Sequence, residues 1–109
     1  IPVFNSEGSI NELYQRLTRT LHMINGDYEI IFVNDASVDG SSNVIKVLGK
    51  KDPKIIGIDL MRNFGQHNAL LCGIRRAKYE YIVTLDDDLQ NPPASKKEDE
   101  QGPLFVKNH

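Results

Sequence analysis

The chain has 109 residues, 39% hydrophobic and 26% charged, which is typical of one small globular domain. Its formal net charge of −2 argues against a nucleic-acid-binding surface, and no apolar run approaches the length of a membrane span. The single cysteine, Cys72, excludes an internal disulfide and fits a reducing compartment. The sequence opens on Ile1-Pro2-Val3-Phe4 without a methionine, and we interpret it as a fragment that begins inside its first strand.

The first third of the chain has the pattern of a strand, a helix and a second strand. Residues 1–4 form the predicted first strand. Ser9 and Glu12 have the spacing of a capping box, in which the hydroxyl and the carboxylate satisfy two backbone donors at the start of a helix. Apolar residues then recur at helical spacing as far as Ile24, and Asn25-Gly26 ends the helix. Residues 29–33 form an apolar run with β-branched side chains, which indicates a strand covered on both faces.

The same alternation continues to residue 85. Asp39-Gly40-Ser41 opens a second predicted helix, and residues 54–60 form a third strand. A third helix is predicted over residues 65–78, followed by a fourth strand over 79–85. Strands that alternate with helices of this length indicate an α/β fold, with a parallel sheet of about four strands joined by helical crossovers.

Polar side chains follow each predicted strand. Because ligands of parallel α/β sheets bind beyond the carboxyl ends of the strands, these side chains are candidates for one site. The strand-exit residues are Asn5 and Glu7, Asn34 and Asp35, Arg62 and Asn63, and finally Asp86, Asp87 and Asp88. We interpret Ser37, Asp39 and Asn68 as helix-capping or loop residues. Asp35, Asp86 and Asp88 are instead interpreted as members of the site.

The most acidic strand exit is the run of Asp86, Asp87 and Asp88. Adjacent carboxylates repel one another unless a cation lies among them. Side chains at positions i and i+2 of an extended segment point to the same side, so Asp86 and Asp88 are spaced to hold one hard cation such as Mg²⁺ or Mn²⁺. The alternative is a solvated acidic turn that leads into Pro92-Pro93. The cluster alone favours neither interpretation.

Four stretches, taken in order, give the sequence a family resemblance. Residues 2–7 (PVFNSE), 32–41 (FVNDASVDGS), 62–69 (RNFGQHNA) and 85–93 (LDDDLQNPP) together resemble the amino-terminal half of a family 2 glycosyltransferase with the GT-A fold. The resemblance is closest to the polyprenyl-phosphate glycosyltransferases, which include dolichyl-phosphate mannose synthases and undecaprenyl-phosphate aminoarabinose transferases.

This resemblance implies a fold and a division of the chain. The implied fold is the Rossmann-like GT-A fold of nucleotide-diphospho-sugar transferases, here incomplete. Residues 1–93 would form the nucleotide-sugar-binding half of that domain. Residues 94–109 fall outside the resemblance, are mostly polar and contain Gly102-Pro103, so they are predicted to be an irregular or disordered tail.

The resemblance also implies roles for individual residues. Asp86 and Asp88 match a D-x-D motif that would hold Mg²⁺ or Mn²⁺, and together with Gln90 they form the implied catalytic group. The implied nucleotide-binding residues are Pro2, Phe4, Asn5, Glu7, Asp35, Arg62 and Asp87. Within that set, Asp35 would accept a hydrogen bond from the base.

The function implied by the resemblance is the metal-dependent, inverting transfer of a sugar from a UDP- or GDP-sugar to a polyprenyl phosphate. The expected location is cytoplasmic, at the inner face of the membrane, with no nucleic-acid partner. In the family a later strand flanks the fourth, so the edge left without it would allow two copies to pair as a homodimer.

Two other functions stay open at this stage. One is a noncatalytic, truncated nucleotide-binding module. The other is a receiver-like regulatory domain whose acidic cluster binds Mg²⁺. Receivers place their acidic residues chiefly after the first and third strands, whereas here those residues follow the second and fourth predicted strands.

Overall fold

The fold is seen in a computed structural model that describes residues 1–23, residues 26–87 and the backbone of residues 104–107. Strands and helices alternate in the predicted order, with one additional strand near the end of the chain. The elements are β1 (Pro2–Val3), α1 (Ile10–Leu21), β2 (Ile30–Asn34), α2 (Ser41–Lys51), β3 (Ile55–Asp59), α3 (Gln66–Arg76), β4 (Tyr81–Thr84) and β5 (Leu104–Lys107). Among the described residues, no helix combines the length and the apolar character needed to cross a membrane.

The first three strands form a parallel sheet in the order β1–β2–β3. Val33 of β2 lies opposite Pro2 of β1 on one side and Ile58 of β3 on the other. Each connection between these strands contains one helix, so the carboxyl ends of the three strands meet at one edge of the sheet. The predicted α/β architecture is confirmed, with three parallel strands in the part of the chain that the structure describes.

The fourth strand differs from the prediction of one sheet of about four strands. In the described ranges, β4 pairs with β5 in a separate antiparallel sheet, from Tyr81 opposite Lys107 to Thr84 opposite Leu104. The prediction of an irregular tail over residues 94–109 is therefore wrong for residues 104–107. The physical reason is that β4 presents backbone donors and acceptors that the strand-forming Leu-Phe-Val segment satisfies. The remainder of that tail lies outside the described residues.

The main core lies between the sheet and helices α1 and α2. Its buried apolar members are Val3, Ile10, Leu13, Ile30, Phe32, Ile45, Leu48 and Ile55. Phe32, in the middle of β2, has no exposed surface. α2 approaches β3 so closely that a Cβ added at Gly57 would lie 2.6 Å from Ile45 Cγ2. This close approach explains a glycine in the interior of a strand.

The opposite face of the sheet carries α3 and is less completely covered. Val33 packs on α3 at a position where a Cβ added to Gly73 would lie 3.2 Å from Val33 Cγ2. Beside this contact, a mainly apolar cavity of about 420 Å³ lies between α3, the end of α1 and β4. Tyr81 and Val83 of β4 are 71% and 45% exposed. The fold thus has one densely packed face and one open face.

The start of α1 differs from the predicted capping box. The Ser9 hydroxyl donates to the backbone oxygens of Ser6 and Asp87, at 3.2 and 2.9 Å, and Glu12 forms an ion pair with Arg16 at 2.8 Å. The prediction is wrong because the loop after β4 brings an acceptor to Ser9 from far along the chain. α1 also ends at Leu21, before the predicted end at Ile24, which lies outside the described residues.

Candidate functional site

The loops after β1, β3 and β4 enclose a cleft at the carboxyl edge of the sheet. Its volume is about 380 Å³. The lining residues are Pro2, Val3, Phe4, Asp35, Asn63, Gly65, Gln66, Asp86 and Asp87. Five of the residues predicted for the site are therefore brought together, although they come from three separate stretches of sequence. This edge is where ligands of parallel α/β sheets bind.

Asp35 lies at the end of β2 and is only 3% exposed. Its two carboxylate oxygens accept hydrogen bonds from the backbone N–H groups of Phe64, at 2.8 Å, and Gly65, at 3.0 Å. A buried carboxylate is costly unless it is hydrogen-bonded, and here backbone donors satisfy both oxygens. Asp35 therefore connects the end of β2 to the loop between β3 and α3.

Asp87 joins the loop after β4 to the loop after β1. One of its carboxylate oxygens accepts hydrogen bonds from the Phe4 N–H, at 3.1 Å, and from the Ser6 hydroxyl. Its backbone oxygen accepts the hydrogen bond from Ser9 described above. The Asp87 side chain thus shapes the wall of the cleft through contacts with the protein itself.

Asp86 differs from these two carboxylates because it is exposed. The Gln66 side-chain amide donates to Asp86 Oδ1 at 3.1 Å. Gln66 is the first residue of α3, which has no acidic residue in its first turn and no side-chain cap at Gly65. The amino-terminal end of that helix carries partial positive charge. Asp86 consequently meets donors and positive potential across the cleft.

The metal site implied by the D-x-D resemblance is described only in part, because Asp88 and Gln90 lie outside the described residues. In the ranges 1–23 and 26–87, no group of three or more His, Cys, Asp or Glu side chains gathers to hold a metal. Mg²⁺ is usually held by only one or two carboxylates, with water and substrate phosphates as its other ligands. The exposed carboxylate of Asp86 fits one such ligand.

Three residues predicted to bind nucleotide do not line the cleft. Asn5 adopts a left-handed backbone at φ 51°, donates its N–H to Ser37 Oγ and accepts from the Val38 N–H. Glu7 donates its N–H to Asp39 at 3.2 Å. The Arg62 guanidinium lies 4.7 Å from the centre of the Phe64 ring. Asn5 and Glu7 thus join the loop after β1 to the loop after β2, whereas Arg62 contacts a residue of its own loop.

The residues interpreted as structural have structural contacts. Ser37 donates to Asn34 Oδ1, and the Asn68 amide donates to the backbone oxygen of Phe64 at 2.8 Å. Asp39 accepts from the N–H and hydroxyl of Ser41, at 2.9 and 2.6 Å, at the start of α2. Burial alone raises the pKa of Asp39, but these hydrogen bonds and the one from Glu7 outweigh it and hold the pKa below its ordinary value. All three residues therefore make contacts within the protein.

Three lining residues, Val3, Gly65 and Gln66, were absent from the sequence-predicted site, and Asn63 was a strand-exit candidate without an assigned role. Asn63, Gly65 and Gln66 belong to the exit of β3 and the start of α3. The strand-exit rule pointed to this stretch, and a glycine directly before a helix was the signal for a tight turn there. Val3 lines the cleft within β1, where no sequence pattern separates it from a core valine.

The chain is similar to known proteins along most of its length. It matches the family described as Glycosyl transferase family 2 over residues 1–98. It is 42% identical over 94 residues to an undecaprenyl-phosphate 4-deoxy-4-formamido-L-arabinose transferase of Aeromonas hydrophila, an alignment that covers 85% of this chain and 29% of that protein. The proteins of the same name from Shewanella sediminis and Proteus mirabilis are 42% and 39% identical over 94 residues, again 85% of this chain and 28% and 29% of theirs.

These relatives confirm the resemblance inferred from the four motifs. The chain spans less than a third of the length of the curated relatives named above. The family match nevertheless includes every element from β1 to β4, together with the whole cleft. The chain belongs to glycosyl transferase family 2.

Proposed function

We propose that this chain supplies the donor-binding half of a glycosyltransferase that moves a sugar from a nucleoside-diphosphate sugar to a polyprenyl phosphate. The observation that carries the proposal is the cleft at the carboxyl edge of the sheet, which gathers Asp35, Asp86 and Asp87 beside Pro2 and Phe4. The volume of about 380 Å³ lies in the range of small-molecule pockets.

We propose that the nucleotide lies with its base beside Pro2 and Phe4, the apolar end of the cleft, and with its phosphates at a polar end beside Asp86. Pro2 and Phe4 offer apolar surface to a base and ribose, and Phe4 is 47% exposed. At the polar end, Asp86 faces Gln66 and the amino-terminal end of α3. Donors and positive potential at a helix start favour phosphate groups. We therefore place the diphosphate between α3 and Asp86.

Asp86, with Asp88, is proposed to hold Mg²⁺ or Mn²⁺. When bound, such a cation stabilises the charge that develops on a diphosphate leaving group. An acidic strand exit alone would repel a diphosphate, which is why the proposal requires the metal. A phosphate acceptor is already ionised and so needs less help from a general base than an alcohol does.

The acceptor is proposed from the relatives, whose name includes undecaprenyl phosphate. Because that acceptor is a lipid, we propose that transfer takes place at the cytoplasmic face of a membrane. We also propose inversion at the anomeric carbon by direct in-line displacement. A radiolabelled sugar nucleotide and a short polyprenyl phosphate would test the transfer, and the anomeric configuration of the product would test the inversion.

The nucleotide site is tested by titration calorimetry with UDP, GDP and CDP, each with and without Mn²⁺. We expect all three to bind in a metal-dependent manner, one of them most tightly, and Asp86→Ala to weaken that binding by more than about tenfold. Glu12→Ala is the matched control, since it removes an exposed carboxylate from α1, away from the cleft. Failure of all three nucleotides to bind, or equal weakening by both variants, would contradict the proposed site.

The receiver-like interpretation is not retained. The family match covers residues 1–98, and the acidic residues of the cleft follow β2 and β4. A noncatalytic nucleotide-binding module differs from the proposed function only in the transfer step. The radiolabel assay therefore distinguishes the two, because a module would bind nucleotide in the calorimeter and transfer no sugar.

A further inference from the structure

The β3–α3 loop, defined here as residues 60–65, is fixed in place by polar contacts. Asp35 accepts hydrogen bonds from two successive amides of this loop, at Phe64 and Gly65. Asn63 Oδ1 accepts from the same Gly65 N–H at 2.9 Å, and Asn68 binds the Phe64 oxygen. Asp35 is the only buried residue among these side chains, so it anchors the loop to the interior of the molecule.

The conformation held by these contacts is one that most residues avoid. Gly65 has φ 92° and ψ 155°, a region that is essentially restricted to glycine. A Cβ at this position would meet no atom within 4 Å, so the constraint is on the backbone alone. The next residue is Gln66, whose side chain reaches Asp86. The direction in which the loop leaves Gly65 therefore determines where Gln66 lies.

We propose that Asp35 is a positioning residue, which holds the β3–α3 loop so that Gln66 reaches and orients Asp86 across the cleft. The chain of contacts runs from the buried Asp35 carboxylate to the amides of Phe64 and Gly65, and from Gln66 to the Asp86 carboxylate. The nucleotide measurements below rest on the proposed function. The contacts within the protein are tested without nucleotide.

This role makes a different prediction from recognition of the base. A carboxylate that reads a base discriminates among bases, so its replacement by an amide would change the order of affinity for UDP, GDP and CDP. A carboxylate that positions a loop affects the phosphate end of the cleft, which all three nucleotides share. Its replacement would weaken all three by the same factor.

The test compares Asp35→Asn with Asp39→Asn by NMR of the ligand-free protein. Both aspartates accept hydrogen bonds from two backbone amides, which for Asp39 are those of Glu7 and Ser41, but Asp39 lies outside the cleft. An asparagine has one acceptor oxygen, and its amide opposes the second N–H donor. In Asp35→Asn we expect amide exchange of Phe64 and Gly65 to accelerate about tenfold. The Gln66 side-chain amide signals should shift to the positions that they take in Asp86→Ala.

Asp39→Asn should leave the amide exchange of Phe64 and Gly65 and the Gln66 side-chain signals unchanged, even though it also removes a loop carboxylate. In calorimetry, Asp35→Asn should weaken UDP, GDP and CDP by one common factor. The proposal is overturned if the Gln66 signals of Asp35→Asn match those of the unsubstituted protein, or if base preference changes while Phe64 and Gly65 exchange at the original rate.

A second variant covers the case in which Asp35→Asn does not fold. Gly65→Ala keeps the Asp35 carboxylate and adds no steric contact, but it strains the backbone at the same loop. We expect it to shift the Gln66 side-chain signals in the same direction, and unshifted signals would count against the proposal. If the unsubstituted protein binds no nucleotide, the proposed function fails, whereas the NMR comparison still decides the role of Asp35.

Discussion

The two faces of the sheet differ in packing, and the difference separates stability from binding. On one face, α1 and α2 bury Phe32 completely and leave the other core residues at most 6% exposed. On the other face, α3 covers β2, but a cavity of about 420 Å³ remains beside β4. The carboxylates that follow β2 and β4 also differ in burial. Asp35, after the packed strand β2, is buried and bonded to backbone, whereas Asp86, after the open strand β4, is exposed.

This comparison shows how burial decides what a strand-exit carboxylate can do. A buried carboxylate needs its hydrogen bonds within the protein, so it organises loops. An exposed carboxylate keeps its charge at little cost and is accessible to a cation or ligand.

The largest expected contrast in stability is between an aromatic residue of the packed core and an exposed aromatic residue of β4. Phe32→Ala should lower the free energy of unfolding by about 3–5 kcal/mol, because it leaves a cavity in the packed core. Tyr81→Ala should lower it by less than about 1 kcal/mol, because Tyr81 is 71% exposed. Urea denaturation followed by circular dichroism measures both. Equal losses of unfolding free energy would contradict the difference in packing between the core around Phe32 and the open side beside β4.

The second contrast tests the close contact between α2 and β3. Gly57→Ala should cost about 1–3 kcal/mol, since its Cβ would lie 2.6 Å from Ile45 Cγ2. Gly8→Ala is the control, because a Cβ there meets nothing within 4 Å and should change stability by about 0.5 kcal/mol or less. The same denaturation experiment gives both values. A neutral Gly57→Ala would mean that α2 can move away from β3.

The third contrast concerns pH and the carboxylate at the start of α2. Asp39→Asn should cost about 1 kcal/mol at pH 7, because the two Asp39 oxygens accept from the N–H groups of Ser41 and Glu7 and an asparagine has only one acceptor oxygen. The pKa of Asp39 lies below its ordinary value of 3.8 in the folded protein, so its charged form stabilises the fold at neutral pH. The difference in free energy of unfolding between the unsubstituted protein and Asp39→Asn should therefore shrink as the pH falls through and below 3.8. A difference that stays constant from pH 7 to pH 3 would contradict this account.

The smallest expected effect on stability comes from two alanines with different backbone conformations. Ala36 has φ 57°, a left-handed conformation that costs an ordinary residue about 1 kcal/mol, so Ala36→Gly should raise stability by about 0.5 kcal/mol. Ala77 has φ −64°, and Ala77→Gly should lower stability by a similar amount. Thermal unfolding of both variants gives the sign of each change in stability. Shifts of the same sign would show that backbone strain at Ala36 is not the cause.

The order of strands and helices was predictable because it depends on local patterns. The apolar run of β2 and the helical spacing in α1 each specify their element within a few residues of sequence. The capping box failed because the Ser9 hydroxyl bonds to Asp87, which lies 78 residues further along the chain. β5 was missed because four residues in a polar tail become a strand only through pairing with β4.

The site was predictable in position but not in its contacts. The strand-exit rule placed Asp35, Asp86 and Asp87 at one edge, and the structure places them in one cleft. Their partners could not be predicted, because the Phe64 amide lies 29 residues from Asp35 and Gln66 lies 20 residues from Asp86. Such contacts depend on how separate loops meet in the folded molecule, which no local pattern records.

A metal-dependent nucleotide site at the carboxyl edge of the sheet is tested most directly by locating bound Mn²⁺ through its paramagnetic effect on amide signals. With Mn²⁺ and the nucleotide that binds most tightly, we predict strong broadening at Phe4, Gly65, Gln66 and Asp87, which lie around the cleft. Signals of Gly49 and Lys50, near the end of α2, should stay sharp. Broadening centred at the end of α2, or none near Asp86, would contradict a metal-dependent nucleotide site at the carboxyl edge of the sheet.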